Sequence, residues 1–386
     1  MRADLVVHWG MQIPKTPAAI AFFLGLTAMA MAPKTTWSQS DEAPLYTFKS
    51  LVDLTATTVK DQCQTGTCWS FSTTSFLESE AARISGEVVD LSEMASVRYT
   101  YPLKAEMYLR HHGLHQFGPG SLCHDVLNAM GSYGVVPEFA FTGLDKGEAE
   151  YNHGEFDAVL AAAVKAMSEQ RVLSDDWRDA VDGICDAYLG KLPSSFQFEG
   201  TTYTPTSFRD HLGLSASNYV SLTSFTHHEF GESFVLEVPD NFSRGTFLNL
   251  PIRDLARVVQ NALEQGYTVA WDADVSEKGF SFRNGMALMP AEGQKAELWK
   301  RVVEEEKVTQ ESRQEAFEAH VTTDDHLMHI VGLAEDQNGE TYFVIKNSWG
   351  GANPYGGRQY ISMAYFKAKT IAVTMHRDAV RTKKSR

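Results

Sequence analysis

Two short segments lie 258 residues apart, one around Cys68 and one around His326, and only a fold that joins them makes chemical sense of either. The first reads Val59-Lys60-Asp61-Gln62-Cys63-Gln64-Thr65-Gly66-Thr67-Cys68-Trp69-Ser70-Phe71. The second holds Asp325-His326-Leu327-Met328-His329-Ile330-Val331-Gly332 and then Lys346-Asn347-Ser348-Trp349-Gly350. A thiol attacks a carbonyl well only when something keeps it deprotonated and something else holds the oxyanion that forms. Cys68 brings the thiol, His326 an imidazole, and Asn347 and Gln62 side-chain amides.

Local signals place these residues on elements. Gly66-Thr67 opens a helix with Thr67 as N-cap and Gly86 as stop. Cys68 then falls in the first turn, where the helix dipole favours a thiolate. His329 to Ala334 and Thr341 to Lys346 are β-rich runs around Asp336-Gln337-Asn338-Gly339, a hairpin signal. A tight Asn338-Gly339 turn sets Asn347 opposite Ile330 and leaves His326 about 13 Å along the strand, too far for a hydrogen bond. A longer loop or a bulge is therefore expected.

The rest of the chain divides by composition. Residues 17–32 are almost wholly apolar or small, with Lys15 before them and Ala28-Met29-Ala30 as a cleavage-like end. Residues 1–40 are read as signal peptide and lead-in; export to the periplasm or the outside is expected, with a retained anchor as the rival reading. The remainder, 41–386, is divided into a helical lobe over about 60–143, an insertion over about 144–212 and a β lobe over about 213–386. Leu91-Ser92-Glu93 begins a helical stretch, 158–167 reads as helix, and 251–265 carries apolar residues at helical spacing. Residues 267–273 alternate as a strand, and the charged stretch 292–318 reads as a solvated helical insertion. A net charge of −15 argues against nucleic acid as a partner. Four cysteines are too few for a disulfide scaffold at 386 residues.

These segments resemble papain-like cysteine peptidases of the C1 family. In that family a Gln six residues before the Cys donates to the oxyanion, and the catalytic His lies six residues before a Gly. Gln62, Cys68 and the pair His326 and Gly332 fit both spacings. The resemblance implies an α+β, two-lobed fold, the Cys on a helical lobe and the His and Asn on a β-barrel-like lobe. It makes Cys68 the nucleophile, His326 the base, Asn347 the group that orients the His and Gln62 the oxyanion donor. Trp349 shields the His–Asn bond, and Phe117-Gly118-Pro119-Gly120-Ser121 resembles the Gly-rich rim, so Gly118, Gly120 and Trp349 are the substrate-binding residues. Peptides are the substrates it implies.

The long interval between the halves, Thr65 where secreted relatives carry a disulfide Cys, Tyr133-Gly134-Val135-Val136-Pro137 and Met375-His376-Arg377-Asp378-Ala379 resemble the bleomycin hydrolase and aminopeptidase C branch. That branch implies an aminopeptidase and a homo-oligomer. Its classical members end in a longer arm whose carboxylate binds the substrate amine, whereas this sequence stops at the basic run Thr382-Lys383-Lys384-Ser385-Arg386. An internal Asp or Glu from an insertion is one candidate to replace it, Asp324 and Asp325 being nearest in sequence to His326; the plainer reading of that pair is an acidic turn entering a strand. An endopeptidase of the same fold, an inactive peptide-binding homologue and a Cys-His-Asn acyltransferase such as a cell-wall amidase are the alternatives. Three further points close the reading. His329 is expected to be a strand His. His111, His112, His115, Cys123 and His124 match no standard zinc spacing. No metal and no cofactor are expected.

Overall fold

The computed structural model describes residues 45–144 and 147–380. The expected signal segment and the basic tail lie outside them. Three helices build the first half: α1 (Cys68–Ser85), α2 (Glu93–Arg110) and α3 (Cys123–Tyr133). α1 ends where Gly86 turns left-handed (φ 81°) and its N–H reaches Ala82 O. Thr67 is the N-cap residue, but its hydroxyl meets Thr65 Oγ1 at 2.6 Å and caps no backbone N–H. Ser92 does cap α2, accepting from Ala95 N at 3.0 Å.

α1 is buried on every side from Cys68 to Ala81, although it is rich in Ser and Thr. Several of its hydroxyls find partners outside the helix: Ser70 Oγ donates to Glu93 O at 2.7 Å, and Ser79 Oγ donates to Thr55 O at 2.7 Å, while Thr73 Oγ1 finds none among the described residues. A helix buried all round shows no amphipathic stripe, and each polar group it buries needs such a bond.

The stretch after them supplies α4 (Gly154–Ser168), α5 (Trp177–Leu189) and α6 (Pro205–His211), which extend the first apolar core through Phe156, Leu160, Val181 and Phe208. α7 (Ile252–Glu264) buries the predicted stripe Ile252, Leu255, Val258, Val259, Ala262 and Leu263 in a second core. That core lies with the strands, which give the chain its mixed α+β character.

In chain order these are β1 (Phe48–Asp53), the small hairpin β2 (Phe196–Phe198) and β3 (Thr201–Tyr203), then β4 (Tyr219–Thr223), β5 (Ser233–Val235), β6 (Thr246–Asn249) and β7 (Val269–Ala273). β8 (Phe280–Ser281), β9 (Met286–Ala287), β10 (His326–Asp336), β11 (Thr341–Lys346), β12 (Arg358–Ser362) and β13 (Thr370–His376) complete them. Eleven strands share one sheet in the order β5-β6-β4-β13-β7-β10-β11-β12-β9-β8, with β1 on β10.

The hairpin carries the expected irregularity, in two parts. Its loop has three residues, Gln337 to Gly339, with Gly339 left-handed at φ 86°, and Glu335 pairs with Thr341. A bulge between Ile330 and Gly332 then shifts the register, so that His329 faces Lys346. Continued by one residue, this sets Asn347 opposite Met328, two positions from His326 on the same face. Diagonal same-face neighbours on adjacent strands are within reach of long side chains. Loop and bulge together thus do what direct opposition would otherwise require.

The charged stretch 292–318 is not one solvated helix. A short 3-10 turn at Glu292–Glu297 gives way to irregular chain before α8 (Gln310–Glu318). α8 buries Arg313, which is 1% exposed and donates from Nε to Ser224 O at 2.9 Å with its guanidinium over the Phe225 ring. Arg313 covers apolar surface and satisfies a carbonyl at once, which a charge count cannot reveal.

Candidate active site

Cys68 opens α1, and α1 lies along the start of β10. Ser72 Oγ donates to Met328 O at 2.7 Å, and Ser75 Oγ meets His329 Nδ1 at 2.8 Å. The helix N-terminus is thereby held beside the first residue of the strand, His326. His329, three residues on, is fully buried against α1 as the expected strand His.

Gln62 joins the two halves from the other side. Its backbone N–H donates to Ser348 O at 2.8 Å, and Gly350 N donates to Lys60 O at 3.1 Å. Ser348 Oγ donates to Gln62 Oε1 at 2.6 Å, so the amide nitrogen points the other way, toward Thr65 O at 2.8 Å. One N–H of that amide remains for the cleft, which Gln62 lines. Trp69 Nε1 donates to Pro119 O at 2.9 Å and fixes the Gly-rich rim beside the thiol. Gly66 permits this approach: a β-carbon there would lie 2.6 Å from Pro119 Cγ.

His326 and Asn347 meet. His326 Nε2 lies 2.8 Å from Asn347 Oδ1. The amide's orientation follows from its other partners: Asn347 Nδ2 donates to Gln359 Oε1 at 2.7 Å, and Ser348 N–H donates to Oδ1 at 2.7 Å. Oδ1 is therefore the acceptor and Nε2 the donor, which leaves Nδ1 of a neutral ring free to take a proton. Trp349 stacks on the imidazole with centroids 4.5 Å apart, backed by the edges of Phe280 and Phe282.

Gln62, Gly66, Cys68, Gly120, His326 and Trp349 line one cleft of about 490 Å³. Gly118, the remaining rim residue, sits two positions before Gly120. Burial dominates the electrostatics. It pushes the Cys68 thiol up to about 12; the Leu327 backbone N–H works against this, and Asp324, Asp272 and Asp240 add to it. Burial likewise pushes His326 down to about 4, opposed by its bond to Asn347. Each ion alone is disfavoured, but a proton moving from sulfur to imidazole creates both charges together with no net charge.

All four cysteines are free. The histidines at 111, 112 and 115 do not converge with Cys123 and His124 on a metal-sized site: His124 Nε2 meets Ser243 Oγ at 2.8 Å, while Cys123 is buried in α3. Among the described residues, the grouping of metal-ligand type is His227, His228 and Glu237. There Gln314 Nε2 donates to His227 Nδ1 at 2.9 Å, and the Gln314 carbonyl is held by Thr226 N–H at 2.7 Å. That fixes the hydrogen of His227 on Nε2, the atom facing Glu237, and makes the trio a hydrogen-bonded cluster. Gln359, Asp240 and Asp272 went unnoticed in the sequence. Asp272 left a trace there, as the one charge inside the apolar run Val269-Ala270-Trp271-Asp272-Ala273.

Comparison with known proteins identifies the family. The profile of the peptidase C1-like family matches residues 194–386, and that of papain family cysteine proteases matches 50–98. The chain belongs to the peptidase C1-like family. It is a cysteine-type peptidase by that membership. Aminopeptidase G of Lactobacillus delbrueckii subsp. lactis is 23% identical over 368 residues, covering 84% of this chain and 82% of its own. The crystal structure of PepW from Lactobacillus rhamnosis HN001 superposes with a TM-score of 0.68 at 16% identity, covering 86% of this chain and 82% of that one. The papain-like α+β fold expected from the sequence is the fold found.

Proposed function

We propose that this chain is an aminopeptidase in which Cys68 is the nucleophile, His326 the base and acid, Asn347 the orienting amide and Gln62 an oxyanion donor. The observation that carries the reading is the bond from His326 Nε2 to Asn347 Oδ1, with the amide pinned by Gln359 and Ser348. It presents the imidazole in the one neutral tautomer that can accept from the thiol. Cys68 Sγ gives its proton to His326 Nδ1 and attacks the carbonyl carbon. The oxyanion accepts from the Gln62 amide and from a backbone N–H at the start of α1, where helical N–H groups lack intrahelical partners. The imidazolium protonates the leaving amine as the C–N bond breaks, leaving an acyl-enzyme. Water, deprotonated by the same imidazole, then attacks and releases the acid and the thiol. Gly118, Gly120 and Trp349 flank the path of the substrate.

The aminopeptidase assignment is supported by aminopeptidase G; an endopeptidase of the same fold is the second reading. An epoxide thiol reagent should label Cys68 and abolish turnover in step. Activity on matched peptides with free and acetylated N-termini separates the two readings. Absence of labelling would leave a peptide-binding homologue instead.

A further inference from the structure

One end of the cleft carries carboxylates that the chemistry above does not use. Asp240, Asp324 and Asp325 line it with Cys68 and His326. Asp240 sits in the turn between β5 and β6, and that turn is stapled by Asn241, which is 5% exposed. Its Nδ2 donates to Leu236 O at 2.8 Å and Gly245 O at 3.0 Å, and its Oδ1 accepts from Gly245 N at 2.7 Å. Gln116 Nε2 donates to Asp240 Oδ1 at 2.8 Å. The carboxylate lies directly on the rim: a β-carbon on Gly120 would fall 1.8 Å from Asp240 Oδ2. The Gly120 carbonyl is itself occupied, by Lys104 Nζ. At this residue the rim's carbonyl is therefore taken and its Cα face covered, where an extended substrate would otherwise continue past the nucleophile.

Asp324 completes the wall two residues before His326. Its Oδ2 is covered, yet has no hydrogen-bond partner among the described residues. Behind it Asp272, 3% exposed, meets no other donor but shares a side-chain hydrogen bond with Asp324. Buried carboxyls without partners are costly unless a cation or a shared proton meets them. Lys104 is the cation that acts on both Asp240 and Asp324, and it is committed to Gly120 O.

Resting on the peptidase reading, we propose that Asp240 and Asp324 bind the free α-ammonium of the substrate's first residue and close the cleft to anything longer on that side. The α-nitrogen is two bonds from the carbonyl carbon that Cys68 attacks, so a carboxylate that reads it must lie close to the sulfur. The repulsion these carboxylates exert on a Cys68 thiolate has the same origin. A bound ammonium offsets it, so that a free N-terminus both anchors the substrate and eases ionisation of the nucleophile. A basic side chain at the preceding position would offer the same cation chemistry, but the covered face of Gly120 leaves that residue no backbone to pair with.

The test uses the full chain with Asp240→Asn and Asp324→Asn, both nearly isosteric, and Gly120→Ala, which displaces Asp240 without removing it. Substrates are an alanyl amide with a free amine, its N-acetyl form, and N-acetyl-arginyl-alanyl amide. All three variants should raise KM for the free-amine substrate about 10- to 100-fold, the size of a lost bond between charged groups, with kcat changed less. The ratio of acetylated to free-amine turnover should rise. Labelling of Cys68 by the epoxide should persist in the variants, which separates failure of this inference from failure of the peptidase reading. Unchanged KM in the two Asn variants overturns the inference. So does wild-type preference for the acetyl-arginyl substrate, lost on Asp324→Asn, which would make the wall a pocket for a basic side chain.

Discussion

Gln359 touches neither substrate nor the reacting atoms in the proposed mechanism, yet the geometry makes it the residue that decides which end of the Asn347 amide faces His326. It is fully buried, accepts from Asn347 Nδ2 at 2.7 Å, and its own Nε2 has no partner among the described residues. Gln359→Leu removes one hydrogen bond worth about 1 kcal/mol; it deletes one buried orphan donor, Gln359 Nε2, but leaves another, Asn347 Nδ2, so those two costs of about 1–3 kcal/mol roughly cancel. Stability should therefore fall by about 1 kcal/mol. The amide keeps its second anchor, the Ser348 N–H, so its orientation loses about 1 kcal/mol of bias, and kcat should fall about 5- to 10-fold. Gln359→Glu should instead keep kcat and lose more stability. A carboxylate still accepts from Asn347 and holds the amide, but the site buries its charge. Burial raises its folded pKa above the unfolded value near 4.3, so the folded state holds the proton more tightly, and the destabilisation grows as pH rises above that value. Thermal melts at pH 5 and 7.5, with kcat on one peptide substrate, check both variants. If Gln359→Leu leaves kcat within twofold, Ser348 suffices and the argument from Gln359 is wrong. Equal loss of kcat in both variants would point to repacking instead.

Other outcomes follow from the same site. Cys68→Ala should abolish hydrolysis while Cys63→Ala and Cys185→Ala retain most of it, measured on the same peptide; turnover by the Cys68 variant would sink the mechanism. Gln62→Ala should lower kcat on the order of 10²-fold with a smaller change in KM, as for one lost oxyanion donor. Ser348→Ala, which frees Gln62 Oε1, should give a weaker version of the same defect. Burial first, then Asp240, push the Asp324 carboxyl up to about 7. Asp325 adds to this, while a hydrogen bond with Asp272 and the charge of Lys104 pull it down. Because only the carboxylate form attracts an ammonium, kcat/KM for free-amine peptides should fall as pH drops through about 7. Acetylated peptides, or the Asp324→Asn enzyme, should lack that limb.

The helix under Cys68 was legible because its limits are local: Gly86 stops it whatever surrounds it, and Thr67 holds the N-cap position although its hydroxyl caps nothing. The stripe of α7 was legible for the same kind of reason, since it faces one core. The hairpin showed only its need for an irregularity, since a bulge at Val331 and a three-residue loop compete on nearly equal terms in sequence. The burial of Arg313 and the acid wall were hidden. Asp240 looks like any Asp in a Pro-Asp-Asn turn, and only its approach to Gly120 across 120 residues gives it meaning. Gln359 shows no spacing signal, because its role depends on strand pairing rather than on neighbours in the chain.

The stitching of residues 60–64 to 347–350 also sets a clock. A ribosome delivers Cys68 and its helix early, but Ser348 and Asn347 emerge near the end of synthesis, and β10 takes its register from strands on both sides, including β11 after it. β13, later still, ties β7 to β4. A nascent chain, or any fragment that stops short of residue 347, holds a thiol at a helix end without its orienting amide or the hydroxyl that anchors Gln62. On the proposed mechanism such a chain is not yet a peptidase, so the order of the segments along the polypeptide delays activity until synthesis is nearly complete.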